Sequence, residues 1–178
     1  MKKLIIFLMV FSVAASVFAS TPMPSSVKRI LRNTPKDALV GIGVAKAANQ
    51  SMSMRLSETR ARASLTRQLA MISDTVIVEQ FIQSYFDPAT GQLFRDVITR
   101  TISQARFSGS YIAGNAVDKD GATWTVIVLK KEDALKAILE AKEAGVQAVP
   151  AMASFDMEQK FDNAFNTVNK MDPFIIYE

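Results

Sequence analysis

The residue types on which most enzymes depend are missing from this sequence. It contains no histidine and no cysteine. No Ser-His-Asp or Cys-His nucleophile can therefore be assembled, and no zinc site of the usual His/Cys kind can form. Carboxylates remain. Asp118 and Asp120 stand beside Gly121 like a fragment of a calcium loop, but the further ligands and the closing glutamate are absent at the required spacings. A hairpin turn accounts for the trio better. Hydrolysis by one protonated and one ionised carboxylate has no spaced pair to point to. Gly41-x-Gly43 lacks the third glycine of a dinucleotide fingerprint, and no helix follows it directly. One aromatic pair is left as the candidate ligand-binding site: Tyr111 and Trp124 would offer a flat ligand a stacking surface, although packing is the commoner use of such a pair. No catalytic residue, metal site or cofactor follows from these residues.

The elements that would position them start with a strand, a short link and a helix. Leu39 to Ala47 is apolar and β-branched at alternate positions. Its glycines, Gly41 and Gly43, mark a close approach by another backbone, and the following helix is the obvious neighbour. That helix begins near Ser51 or Ser53 and runs at least to Ile72. Ala61, Leu65, Leu69, Ile72 and Val76 recur at helical spacing as a buried stripe. Leu56, Ala63 and Ala70 flank the stripe, and the small alanines would let the helix sit low on a sheet. Glu58 and Arg62 stand i,i+4 in the favourable order. Arg55, Arg60, Arg62 and Arg67 fill the outer side, where a solvated face is the ordinary reading.

Before this unit, Ser25 or Ser26 caps a short helix, Val27 to Arg32, which Asn33-Thr34-Pro35 ends. After it, Asp74 to Phe86 suits a strand by its β-branched start and a helix by Val78, Phe81, Ile82 and Tyr85; the helix reading is preferred. A turn at Asp87 to Gly91 leads into a second helix, to about Gln104. Arg106 to Val117 alternates, Asp118 to Gly121 turns, and Thr123 to Lys130 returns as a hairpin. Pairing Ala116 with Thr123 would place Tyr111, Ala113 and Asn115 on one face with Trp124, Val126 and Val128, leaving Ile112, Ile127 and Leu129 on the other. Both faces are apolar, so both need cover. A third helix, Lys131 to about Glu143, is broken by Gly145 and Pro150. Met152 to Met171 resumes a helix with Phe155, Phe161, Phe165 and Val168 inward, and Phe174 to Tyr177 forms a short apolar tail. The expected fold is α+β: a three-stranded antiparallel sheet with additional N- and C-terminal helices. Either the C-terminal helices or a second subunit would cover the second sheet face, and the oligomer is preferred.

Lys2 and Lys3, the apolar run Leu4 to Val13, and Val17-Phe18-Ala19 read as a cleavable export signal over residues 1–19. The run is too short for a spanning helix. Without the two lysines the formal charge falls from +4 to +2 (21 basic residues less two, against 17 acidic), which is no nucleic-acid signature. The remaining chain suits one domain over 20–178, with a core at about 36–131 and a helical extension at 132–178.

Three stretches carry a family resemblance: A-L-V-G-I-G-V-A at Ala38 to Ala45, E-T-R-A-R-A-S-L-T-R-Q-L-A at Glu58 to Ala70, and G-S-Y-I-A-G at Gly109 to Gly114. Over about Lys36 to Lys131 the chain resembles the twenty-kilodalton surface-lipoprotein family of Helicobacter type. It is similar, more distantly, to the N-terminal domain of flagellar assembly protein T. The resemblance implies a dodecin-like core, an envelope location and a non-enzymatic role. The lipidated cysteine of the family is absent, so no lipid anchor carries over. The expectation is thus an exported protein of the periplasm or cell surface, a scaffold or interaction protein associating with itself or with envelope proteins. The alternatives are a small-ligand binder using Tyr111 and Trp124, and a carboxylate-dependent envelope hydrolase.

Overall fold

The computed structural model describes residues 23–83, 87–105 and 107–171. In chain order these form α1 (Ser25–Arg32), β1 (Ala38–Ala45), α2 (Gln50–Gln83), α3 (Pro88–Gln104), β2 (Tyr111–Val117), β3 (Thr123–Lys130), α4 (Lys131–Ala148), a 3-10 turn (Pro150–Met152) and α5 (Glu158–Asn169). The fold is α+β, with one antiparallel sheet in the order β1-β3-β2. The export signal expected over 1–19, Tyr85, and the apolar tail from Phe174 lie outside the described residues.

The two glycines of β1 set the distance between sheet and helix. A β-carbon on Gly41 would lie 2.2 Å from the Ala61 carbonyl oxygen, and one on Gly43 would lie 1.9 Å from that of Ser57. Backbone therefore rests on backbone, and small residues of α2 make this possible: Ser57, Ala61 and Ser64 are buried. Ser57 also ties the helix to the other two strands. Its Oγ lies 2.7 Å from Thr125 Oγ1, which donates to Asn115 Oδ1 at 2.8 Å. Ala63 and Ala70 do not make this contact, contrary to the expectation from the sequence. Ala63 is exposed, Ala70 is half-buried and Leu56 is exposed. At about 100° per residue, position 63 stands 200° around the helix from both Ala61 and Leu65, and so points away from the sheet.

With 34 residues, α2 extends about 51 Å, against about 27 Å for an eight-residue strand. Its second half therefore projects beyond the sheet and needs other cover. There the buried stripe expected from the sequence continues as Leu69, Ile72 and Val76 and is joined by Ile77, packed with Phe94, Ile98 and Ile102 of α3 and Phe161 and Phe165 of α5. Asp74 to Gln83 is helix, since helical periodicity against these partners outweighs its β-branched start. Asp87 caps α3, its carboxylate accepting from the Thr90 amide at 3.0 Å, with Pro88 behind it.

The hairpin departs from the expected register. Thr123 pairs with Val117 rather than with Ala116, and Ala116 pairs with Trp124. A bulge between Ile112 and Gly114 then absorbs one residue, so that Tyr111 pairs with Val128 as the sequence suggested. Asn115 consequently moves to the α2 face, where it meets Thr125. Ala113 stays on the Trp124 face, and Ala116 joins it there.

That second face is covered from within the chain, though not by the C-terminal helices. The short helix α1 lies across it, with Val27, Ile30 and Leu31 packed on Ile42, Trp124 and Val126. At Gly114 α1 lies close on the strand: a β-carbon there would meet Ile30 Cδ1 at 2.8 Å. The argument for an oligomer drawn from an uncovered face therefore falls away. The C-terminal helices join the larger cluster on the α2 side, where Phe155, Phe161, Phe165 and Val168 are all buried. Gly145 does not end α4. It sits inside the helix because Phe94 and Ile98 occupy the space a side chain would need. Met152 to Met171 is not one helix either: Pro150–Met152 is a 3-10 turn, and α5 starts only at Glu158, with Asp156 accepting from the Glu158 and Gln159 amides.

Candidate functional site

Tyr111 and Trp124 share a sheet face but are not brought together. Tyr111 stands opposite Val128, four strand positions from Trp124, or about 13 Å along the sheet. Trp124 is 1% exposed and packed under α1, whereas Tyr111 is 44% exposed at the start of β2. A cavity of about 200 Å³ beside Tyr111 is lined also by Arg29, Ile30 and Thr34, and Trp124 has no part in it. The pair offers no single stacking surface.

Trp124 belongs instead to the hairpin turn. Its indole Nε1 donates to Asp118 Oδ2 at 3.0 Å, while Asp118 Oδ1 accepts from the amides of Asp120 and Ala122 at 2.9 and 2.8 Å. Gly121, at φ 78°, closes the turn. Burial opposes ionisation of Asp118, but the Trp124 indole, the two amides and the charge of Lys46 together hold its pKa below the usual carboxylate range. Both carboxylate oxygens are thus engaged by N–H donors. Among the described residues, no three His, Cys, Asp or Glu side chains cluster to hold a metal ion.

The side of α2 facing away from the sheet forms a different feature. A groove of about 660 Å³ runs between Arg62, Ala63, Thr66 and Arg67 of α2 and Ser103, Ala105 and Phe107 at the end of α3 and just beyond it. Chain reversal creates it, since α3 returns antiparallel to α2 and stops level with the middle of the longer helix. The four arginines of α2 play different parts here. Arg60 reaches down to donate to the Val44 carbonyl, and Gln68 Nε2 donates to the Val40 carbonyl at 2.9 Å, so these two side chains cap the outer edge of β1. Arg62 and Arg67 line the groove. Arg62 Nε and Nη2 both donate to Glu58 Oε1, at 3.1 and 2.9 Å, and Nη1 lies 3.4 Å from Ser110 Oγ. Among the described residues, no acidic side chain lines the groove. A second groove of about 500 Å³, beside Asp37 and Leu135, carries charges of both signs, and its Lys131 is paired with Asp162 at 2.9 Å.

Reading the sequence did not single out this groove, because arginines on a helix exterior look alike whether solvated or gathered beside another element. The available signal was Ala63: a small residue on the side opposite the stripe, between two arginines. Comparison with known protein families, with characterised proteins and with solved structures finds no match to this chain.

Proposed function

We propose that this chain is an exported protein of the bacterial cell envelope that acts by non-covalent association, as a scaffold or interaction protein, rather than by catalysis. The observation that carries this reading is the groove beside α2, where Arg62 and Arg67 stand beside Ala63, Ala105 and Phe107 and no acidic residue lines it among the described residues. Export rests on Lys2, Lys3, the apolar run to Val13 and the small residues ending at Ala19. The resemblance of Ala38 to Ala45, Glu58 to Ala70 and Gly109 to Gly114 to the surface-lipoprotein family points to the same compartment and to the same kind of role. Against catalysis stands the lack of histidine and cysteine, together with an Asp118 already engaged by three N–H donors.

The test is capture of the native, tagged protein from cell envelopes alongside an Arg62→Glu/Arg67→Glu variant. Envelope components that accompany the native protein and are lost with the variant are the expected outcome. Identical companions for both proteins, or recovery of the native protein only from the cytoplasm with Met1 intact, would overturn the reading.

A further inference from the structure

We infer that the outer edge of β2 pairs with the same edge of a second copy of this chain. The two strands run antiparallel across a two-fold axis at Ala116, and two three-stranded sheets join into one of six. This surface is separate from the groove beside α2 and does not depend on what that groove contacts.

The two edges of the sheet are finished differently. In an antiparallel pair, every second residue turns its N–H and C=O away from the neighbouring strand. For β1 the alternation is fixed by the Lys131 amide, which donates to the Asp37 carbonyl at 3.1 Å. Leu39, Gly41 and Gly43 then bond to β3, and Val40 and Val44 face outward. Their carbonyls are taken by Gln68 and Arg60, so side chains close that edge. For β2 the alternation is fixed at the turn, where the Asp118 amide donates to the Ala122 carbonyl at 2.9 Å. Ala116 and Gly114 then bond to Trp124 and Val126, and Asn115 and Val117 turn their N–H and C=O outward. Among the described residues, nothing bonds these four groups.

The usual means of blunting an edge are missing there as well. The strand Y-I-A-G-N-A-V carries no charge and no proline. Its bulge lies between Ile112 and Gly114, which leaves the run to Val117 regular. Because α2 lies over β1 and β3, Ile112 and Val117 stay exposed.

Complementarity of charge selects a second copy as the occupant. The outward N–H and C=O groups form a row of opposite partial charges, and such a row read in reverse is its own complement. With Ala116 facing Ala116 of the partner subunit, Asn115 faces Val117 of the partner subunit, and Val117 faces the partner's Asn115. Each of these two pairs exchanges two hydrogen bonds, so all four outward groups of each copy are satisfied. A two-fold axis brings any charge near it close to its own copy, and β2 has none to repel. The strand is also ordered before it pairs, whereas a free peptide would lose conformational freedom on joining the same edge. The contact is small, so an equilibrium between one and two subunits is expected rather than a permanent dimer.

Sedimentation and NMR amide exchange of the mature protein, from micromolar to millimolar concentration, test this. The mass should rise from one subunit towards two and stop there. The Asn115 and Val117 amides should exchange readily in the dilute protein and slow as the mass rises, while the Ala116 amide is slow throughout. Val117→Pro removes an outward N–H from each copy without taking a bond from β3, and it should weaken the dimer about tenfold. Val117→Lys, at an exposed position, should weaken it too and guards against a proline that distorts the strand. A mass of one subunit throughout, a mass that continues past two, a dimer that leaves the 115 and 117 amides unprotected, or a dimer indifferent to both variants overturns the inference. Slow exchange of those two amides in the single subunit also overturns it, since another part of the same chain would then cover the edge.

Discussion

Gly43 passes so close beneath Ser57 that a β-carbon on the glycine would lie 1.9 Å from the serine carbonyl oxygen. Both partners are backbone, so no rotamer change relieves the clash, and the helix must lift or the strand must bend. Gly43→Ala is therefore expected to cost about 3 kcal/mol, at the upper end of ordinary overpacking. Ala63→Leu adds far more bulk on the same helix but points into the open groove, and it should change stability by no more than about 0.5 kcal/mol. Urea denaturation of the two variants checks the contrast. Similar losses in both would mean that α2 does not sit on β1 through Gly43.

Asp118 gives the hairpin a dependence on acid. Its folded pKa lies below its unfolded value because the Trp124 indole and two amides outweigh the opposing effect of burial. A carboxylate of this kind contributes stability that is fully present above the unfolded value of about 3.9 and is lost as pH falls through the lower folded value. Asn at position 118 keeps one acceptor oxygen but turns an NH₂ group towards N–H donors. Asp118→Asn should therefore be less stable than the native protein at neutral pH, and the gap should close on acidification. Denaturation followed by Trp124 emission across that range measures it. A gap that does not vary with pH would mean the ionised carboxylate is not what holds the turn.

Much of the fold was legible because it depends on local pattern. The stripe Ala61, Leu65, Leu69, Ile72 and Val76 is fully buried, and the strand glycines do mark a close approach by the following helix. What escaped depends on non-local packing. The bulge at Ala113 has no signature in an alternating strand and shifts the register only between it and the turn, so Tyr111 was placed on the correct face and Asn115 on the wrong one. Gly145 looked like a helix stop, but it is a helix residue made small by Phe94, about fifty positions earlier in the chain. The groove was illegible for a similar reason, since Arg62 and Ser103 become neighbours only when α3 folds back along α2.

The second sheet face is covered by α1, a helix of only eight residues, where the sequence reading looks to the C-terminal helices or a second subunit. Yet Val27, Ile30 and Leu31 fall at i, i+3 and i+4, which puts all three on one side of a helix. That side closes over Ile42, Trp124 and Val126. Among the described residues, α1 packs chiefly on β2 and β3, so it should open more easily than the larger core. Val27→Asp places a carboxylate where Val27 has no exposure at all, and an unpaired charge is not tolerated in such a site. The expected result is detachment of α1 with the larger core intact. Trp124 emission should shift to the red and become accessible to acrylamide, while far-UV circular dichroism loses only the contribution of a short helix. Each large side chain uncovered on the sheet then forgoes roughly 1.5–3 kcal/mol of burial, so the variant should also self-associate, with a light-scattering mass that rises with concentration. An emission maximum and quenching unchanged from the native protein would show that α1 is not what keeps Trp124 from water.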